Sequence, residues 1–272
     1  MKARHLFAVM AIAATVPMLP AFDIGGFVKK VGENVAEKAT DPNAERVTGL
    51  TLDEEIKLGD SVSIEIVSRY GGVWRDKVAT QRVNLVGRTL AKFAKRDSLD
   101  WRFGLLDSDA INAFSAPNGR VFITKGLYKL LANDDELAGV LAHEIGHIDR
   151  RHAAKIVGGA QTGKVVGGVL AKSASDEAGG LSQLAPADQL LEKGVNGLVE
   201  MYFIKGYGSG REYEADEAGY ELAKATGFDP NGLRIALEKV EANTKRAKET
   251  FNTHPKTKDR LKKLPGDKKG KR

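Results

Sequence analysis

The chain has 272 residues, 42% of them hydrophobic, so it is long enough to bury one sizeable core and predicts one main folded domain. The absence of cysteine excludes disulfide bonds, so stability must come from packing. The formal net charge of +6 is partly concentrated in residues 260–272, where no aromatic residue interleaves with the lysines, so nucleic-acid binding is not expected.

The N-terminal segment has the features of an export signal. A basic start is followed by an apolar run over Leu6–Leu19 and by small residues suited to cleavage. The run is short and contains Pro17, which favours a cleaved signal over a membrane anchor. We therefore predict a signal peptide at residues 1–21, a loosely ordered lead-in at residues 22–51 and a periplasmic location, with a membrane-anchored form as the alternative.

The middle of the chain predicts a mostly helical fold with a small sheet. Two short runs rich in β-branched and aromatic residues, Trp101–Leu106 and Arg120–Gly126, are predicted strands, and the "SAPNG" between them is a turn signal. Asn133 is a predicted N-cap for the long apolar helix that follows it. Helical spacing of apolar residues predicts the remaining helices, which are 53–69, 78–95, 127–131, 211–225, 230–248 and 257–264.

Glycines and other small residues dominate the stretch between Ile156 and Gly210. Gly159, Gly163 and Gly167 recur at a regular helical spacing, which favours close helix packing. A mobile cover over a functional site is the alternative interpretation. No apolar run in this stretch is long enough to predict a membrane span.

The motif "HEIGH" lies inside the predicted long helix. His143 and His147 are one helical turn apart, so both imidazoles face the same side and can bind one ion. Glu144 follows the first histidine and can reach a water at that ion without binding the ion itself. A pair of buried structural histidines is the alternative, but this motif rarely arises by chance in a chain with five histidines. The motif therefore predicts one zinc ion per chain.

A catalytic zinc site needs a third protein ligand, and the acidic segment "GREYEADEAGYELA" offers candidates. Glu212 and Asp216 are one helical turn apart, so one can bind the metal while the other holds a ligand histidine in position. Glu214 and Glu217 remain candidates on charge alone, and an acidic face exposed to solvent is the alternative for the whole cluster. Residue chemistry alone places Glu212 only slightly ahead.

Three segments, in this order, resemble the HtpX and CAAX-prenyl-protease family of zinc metallopeptidases: "NAFSAPNGRVFITKGLYKLLANDDELAGVLAHEIGHIDRRHA", "SGREYEADEAGYELA" and "THPKTKDRL". The resemblance covers about residues 52–264 and implies a mostly helical α+β gluzincin fold, with a small sheet beside the metal-binding helix. It also implies that Glu212 is the third zinc ligand and Asp216 its accompanying aspartate. One departure is a glycine inserted between Ser209 and Arg211, which can shift the contact of the arginine.

His254 is followed by Pro255 in a C-terminal "THP" segment. A histidine in a loop is usually solvated. The family resemblance implies instead a position near the zinc, where His254 can assist the oxyanion or occupy the open coordination position as a switch. Residues 265–272 are predicted to be a basic tail, for which peripheral contact with a membrane surface is the alternative to simple solvation.

These features predict an exported zinc endopeptidase whose peptidase domain spans residues 52–264. Glu144 is the expected base for the attacking water, and the peptide substrate is expected to lie along an exposed strand edge at Val121–Thr124. The resemblance implies misfolded or unassembled envelope proteins as substrates. Two alternatives are a zinc-containing chaperone or scaffold that binds unfolded chains without cleaving them, and a module whose basic tail docks on membrane lipid.

Overall fold

The computed structural model describes residues 52–156, 206–244, 254 and 257–265. They form a mostly helical arrangement with a small sheet, which confirms the predicted α+β fold class. The helices are α1 Leu52–Arg69, α2 Lys77–Ala91, α3 Lys125–Leu130, α4 Asp134–Asp149, α5 Ser209–Ala225, α6 Gly232–Thr244 and α7 Thr257–Lys263, and the strands are β1 Arg102–Leu106, β2 Ala113–Ala116 and β3 Arg120–Thr124. The predicted signal peptide, the lead-in, most of the glycine-rich stretch and most of the basic tail lie outside the described residues.

Helix α4 runs through the middle of the fold, and nearly all of its side chains are buried. Its predicted N-cap is confirmed, because the side chain of Asn133 accepts a hydrogen bond from the backbone N–H of Glu136 at 3.0 Å. Acidic residues in the first turn complement the positive end of the helix dipole. The helix ends at Asp149, and Arg151 then takes φ 53°, a left-handed conformation that leads into the helical residues 152–156.

The sheet has the strand order β1-β3-β2, with β1 parallel and β2 antiparallel to β3. The turn signal "SAPNG" is confirmed only in its second part, because Ser115 and Ala116 belong to β2, a strand that the sequence does not predict. The reversal is confined to residues 117–119, where Gly119 has φ 87°. The predicted substrate edge at Val121–Thr124 is wrong, because β3 is the central strand and is paired on both sides.

Helix α2 ends at Ala91, before its predicted end at Lys95. The backbone N–H groups of Lys95 and Arg96 donate instead to the Asp149 carboxylate at 2.9 and 3.2 Å. This contact connects the segment after α2 with the end of α4. Local periodicity does not predict it, because the partners are distant in the sequence. The last residues of the helix predicted at 230–248 lie outside the described ranges.

The hydrophobic core surrounds α4, which packs against α5, α6, α2 and the sheet. Helices α4 and α5 cross at close range: a Cβ at Gly219 would lie 2.9 Å from the His143 backbone nitrogen, and one at Gly146 would lie 3.0 Å from the Ala215 carbonyl oxygen. Glycine therefore allows the two backbones to approach this closely. Within the described ranges, no helix is both long and apolar enough to cross a bilayer.

Gly219→Ala is expected to lower the free energy of unfolding by about 1–3 kcal/mol, because the added methyl group meets the backbone of α4. The matched control is Gly210→Ala on the same helix, where a Cβ meets nothing within 4 Å. Its stability should be unchanged or raised by up to about 1 kcal/mol. Denaturant unfolding of the purified variants measures both values, and equal stability of the two would contradict the close crossing.

Candidate metal centre

His143 and His147 lie one turn apart on α4 and are both almost fully buried. Their Nε2 atoms are 3.0 Å apart, so the two imidazoles converge on one point. Glu144 is also buried, and its Oε2 atom has no hydrogen-bond partner among the described residues. The helix thus presents two nitrogen ligands and an adjacent carboxylate to the same small volume.

Glu212 reaches this point from α5. Its side chain is fully buried, with Oε2 3.6 Å from His143 Nε2 and Oε1 3.6 Å from His147 Nε2. Asp216, one turn further along α5, places Oδ1 2.9 Å from His143 Nδ1, the ring nitrogen on the far side from the other ligands. The fold therefore brings Glu212 and Asp216 to the same histidine, as their spacing predicts.

The other acidic candidates of this segment lie elsewhere. Glu214 Oε2 is 3.2 Å from His152 Nε2, and Glu217 is largely exposed, 3.8 Å from Arg150. Among the described residues, one group could hold a metal, and it consists of His143, His147, Glu212 and His254. Each member offers one ligand atom, and these atoms all lie within 4.8 Å of one another. The geometry separates Glu212 from its competitors, which charge alone does not.

His254 is buried beside the other ligands and is not a solvated loop residue. Its Nδ1 atom lies 2.9 Å from Glu212 Oε2 and 3.4 Å from His143 Nε2. Its Nε2 atom lies 3.4 Å from Glu144 Oε1. One imidazole therefore contacts both the carboxylate ligand from α5 and the glutamate of the "HEIGH" motif.

The donor set fits a zinc ion. Four-coordinate zinc with bonds of about 2.1 Å places neighbouring ligand atoms about 3.4 Å apart, and the converging atoms of the two α4 histidines and Glu212 are 3.0 to 3.6 Å apart. Among the described residues of this site, three buried carboxylates, Glu144, Glu212 and Asp216, accompany one buried guanidinium, Arg260. With neutral imidazoles the negative charge is in excess by two, and a divalent cation balances it.

Burial and neighbouring charges shift pKa values in the site in different directions. Burial disfavours the charged form of His143, but hydrogen bonds with Asp216 and Glu212 outweigh burial and raise the pKa of His143 to about 9. Burial would raise the pKa of Asp216, yet Arg260 and His143 hold it at about 2. Burial dominates at His147, whose pKa lies well below its ordinary value. The carboxylates therefore favour a positive charge at His143, whereas burial disfavours one at His147.

Arg260 belongs to the site, although it lies in a basic run of the kind that is usually solvated. It is buried on α7, where its Nη2 atom is 2.6 Å from Asp216 Oδ1 and its Nε atom donates to Asp216 Oδ2 at 3.0 Å. Its Nη1 atom is 3.3 Å from Glu212 Oε2. One guanidinium thus holds both acidic residues. The sequence feature that could have indicated its role is its position in "THPKTKDRL", one of the three segments that carry the family resemblance.

His152 and Tyr207 are two further residues that periodicity does not reveal. His152 is fully buried, with Nδ1 2.9 Å from His147 Nδ1 and Nε2 3.2 Å from Glu214 Oε2. The Tyr207 ring stacks on His147, with centroids 4.2 Å apart and an interplanar angle of 21°. Arg211, which follows Gly210, donates to the Tyr207 carbonyl at 3.3 Å. The turn after α4 and the segment before α5 place these groups around His147.

Comparisons with known proteins show what this chain is similar to. The model of the family described as Peptidase family M48 matches residues 77–267. The chain is 31% identical over 224 residues to the beta-barrel assembly-enhancing protease of Yersinia pestis, covering 78% of this chain and 43% of that protein. It is 25% identical over 263 residues to the metalloprotease LoiP of Escherichia coli strain K12, covering 96% of this chain and 94% of that protein. Among solved structures, Ste24p of S. mikatae aligns with a TM-score of 0.44 and 17% identity, over 89% of this chain and 62% of that chain.

The Yersinia pestis relative is much longer than the region it shares with this chain, which spans 43% of its length. The residues matched by the family model include the "HEIGH" motif, the acidic segment on α5 and the "THP" histidine. Because that match extends over well more than half of the residues, the chain belongs to peptidase family M48.

Proposed function

We propose that the protein is an exported zinc-dependent endopeptidase in which His143, His147 and Glu212 hold the metal. The observation that carries this proposal is the buried group of possible ligands with the Glu144 carboxylate beside it. When bound, zinc polarises the substrate carbonyl and lowers the pKa of a water molecule. Membership of a peptidase family supports the same reaction.

Glu144 is the proposed general base. Its Oε2 atom is buried without a hydrogen-bond partner among the described residues, while its Oε1 atom faces His254. A carboxylate oxygen in this position can take the proton of the attacking water and pass it to the leaving amine. Glu144 is not in the group of possible ligands, so its substitution should affect the chemistry more than metal binding.

Asp216 and Arg260 are the proposed positioning residues. Asp216 accepts a hydrogen bond from His143 Nδ1, so that the lone pair of Nε2 is directed toward the other ligands. Arg260 contacts both oxygens of the same carboxylate, at 2.6 and 3.0 Å, and restrains its orientation. Asp216 thus acts through His143 and does not need to touch the substrate.

We place the extended substrate along β2, whose outer edge has no paired strand within the described ranges. The Thr124 backbone nitrogen donates to Asn112 O at 3.0 Å, so these two residues form a hydrogen-bonded pair. Hydrogen-bonded and non-hydrogen-bonded pairs alternate along antiparallel strands, so the backbone N–H and C=O of Ser115 point away from β3. Ser115 and His147 line the same small cavity, so β2 lies beside one of the proposed ligands. A peptide added to β2 would be recognised through main-chain hydrogen bonds, with little dependence on its sequence.

The proposed location is the periplasm, behind a signal peptide at residues 1–21, with a peptidase domain at residues 52–264. The proposed substrates are unfolded or misassembled envelope proteins. The name of the Yersinia pestis relative, a beta-barrel assembly-enhancing protease, supports a role of this kind.

His254 is proposed to occupy the fourth coordination position while the enzyme is at rest. The support is its burial and its contacts with Glu212 at 2.9 Å and Glu144 at 3.4 Å, which bring one imidazole within reach of both a proposed ligand and the proposed base. A catalytic zinc site keeps one position open for water, so a fourth protein ligand in that position holds activity down until it moves.

Glu144→Gln is expected to reduce casein cleavage by at least about 10²-fold while the zinc content stays the same, because the change removes a base and no ligand. Cleavage assays and zinc analysis of purified wild type and variant measure both quantities. Loss of zinc from the variant would contradict the role given to Glu144. A wild type that binds unfolded casein and zinc but never cleaves would contradict the endopeptidase and favour the chaperone alternative.

His254→Ala is expected to raise basal casein cleavage and self-digestion, with unchanged zinc content, because the open coordination position becomes accessible to water. The control is Lys262→Ala, an exposed side chain on the same C-terminal segment, which should behave like the wild type. A fall in turnover of roughly 10²-fold would show that His254 stabilises the oxyanion instead. Unchanged cleavage would contradict both roles.

A further inference from the structure

We infer that His152 and Glu214 form a hydrogen-bond relay that fixes the tautomer of His147 and so sets the zinc affinity of the site. The inference rests on the proposed function, because it assumes that His147 Nε2 binds the metal. It assigns a role to a buried histidine that the proposed mechanism does not otherwise use.

The contacts run in one line from the ligand group toward the surface. His147 Nε2 faces the other ligands, and its Nδ1 atom is 2.9 Å from His152 Nδ1. The opposite nitrogen of His152 is 3.2 Å from Glu214 Oε2. Both imidazoles are fully buried, whereas the Glu214 side chain is about half exposed, at 48%. The relay therefore links a buried ligand to a partly solvated carboxylate.

The positions of the hydrogens follow from these contacts. A His147 that binds metal through Nε2 carries its hydrogen on Nδ1, so Nδ1 must donate. The facing Nδ1 of His152 must then accept, which leaves the hydrogen of His152 on Nε2. That N–H points at Glu214, which as a carboxylate can only accept. Each group therefore has one compatible protonation state, and the carboxylate at the end determines the direction of the hydrogen bonds.

The backbone around His152 is held firmly enough for this role. His152 follows Arg151, the described non-glycine residue with a positive φ, and the Arg151 Nε atom donates to the buried Glu55 at 2.5 Å. Arg96 pairs with the second oxygen of Glu55 at 2.6 Å. On the other side, Tyr207 stacks on His147 and covers its ring. The two imidazoles are therefore held in contact by packing as well as by their hydrogen bond.

The two α4 histidines are oriented in different ways. His143 donates directly to Asp216, which Arg260 in turn holds. His147 reaches its carboxylate only through the intervening His152. Outer hydrogen-bond partners of metal-bound histidines typically contribute 10–100-fold to metal affinity. Loss of the terminal carboxylate should therefore weaken metal binding even though Glu214 is not a ligand.

The test is zinc affinity, measured by competition with a chelator of known affinity, for the wild type, Glu214→Gln, His152→Asn and the double variant. His152→Asn keeps an acceptor for His147 but removes the link to Glu214. Each single variant should bind zinc roughly 10-fold more weakly, and the double variant no more weakly than either. The matched control is Glu217→Gln, an exposed acid on the same helix, which should bind like the wild type.

Additive losses in the double variant, or an unchanged affinity of Glu214→Gln, would overturn the relay while leaving the zinc site intact. A wild type that does not bind zinc would overturn the proposed function together with it. Nitrogen-15 spectra of the zinc-loaded wild type give an independent readout, and five histidines are few enough to assign. The relay requires the Nδ1–H tautomer of His147 and the Nε2–H tautomer of His152, and any other pair overturns it.

Discussion

The close crossing of α4 and α5 is the constraint on which the candidate site depends. A Cβ at Gly219 would contact the backbone of His143 itself, at 2.9 Å. Ligands from the two helices can meet only if the backbones approach this closely, because Glu212 must reach both histidines from across the interface. Metal coordination tolerates errors of only a few tenths of an ångström. Helix packing and ligand geometry are therefore determined together.

Buried charge connects the rest of the described fold to this crossing. Helix α7 is short and basic, yet its Arg260 is buried between acidic side chains of α5, and breaking such a buried pair typically costs several kcal/mol. Arg234 on α6 donates to the carbonyls of Leu261 and Leu264 at 2.8 and 2.9 Å, at the end of α7. The C-terminal segment that carries the "THP" histidine is thereby attached both to the site and to the core.

Features that depend on neighbours in the chain were predictable from the sequence. The Asn133 cap and the one-turn separation of His143 and His147 follow from helix geometry, and the structure contains both. Glu212 was not separable from Glu214 by residue chemistry, because the distinction depends on which side of α5 faces α4. The family resemblance supplied that distinction, and the geometry agrees with it.

Features that depend on distant parts of the chain were not predictable in this way. Strand β2 overlaps a strong local turn signal, and its pairing with β3 decides its conformation. In the sequence, Arg260 cannot be told from its solvated basic neighbours, because only the packing of α7 places it against Asp216. His152 follows a left-handed turn at Arg151, whose partner Glu55 lies 96 residues earlier in the chain. In each case a tertiary contact outweighs the local pattern.

X-ray absorption at the zinc edge, combined with zinc analysis of the purified protein, tests whether α4 and α5 jointly build one zinc site. We expect one zinc per chain, with nitrogen and oxygen donors at about 2.0–2.1 Å and the outer-shell scattering of imidazole rings. Glu212→Gln should lose zinc, whereas Glu217→Gln should retain it. A wild type without tightly bound zinc, or an unchanged zinc spectrum and content in Glu212→Gln, would contradict a joint site.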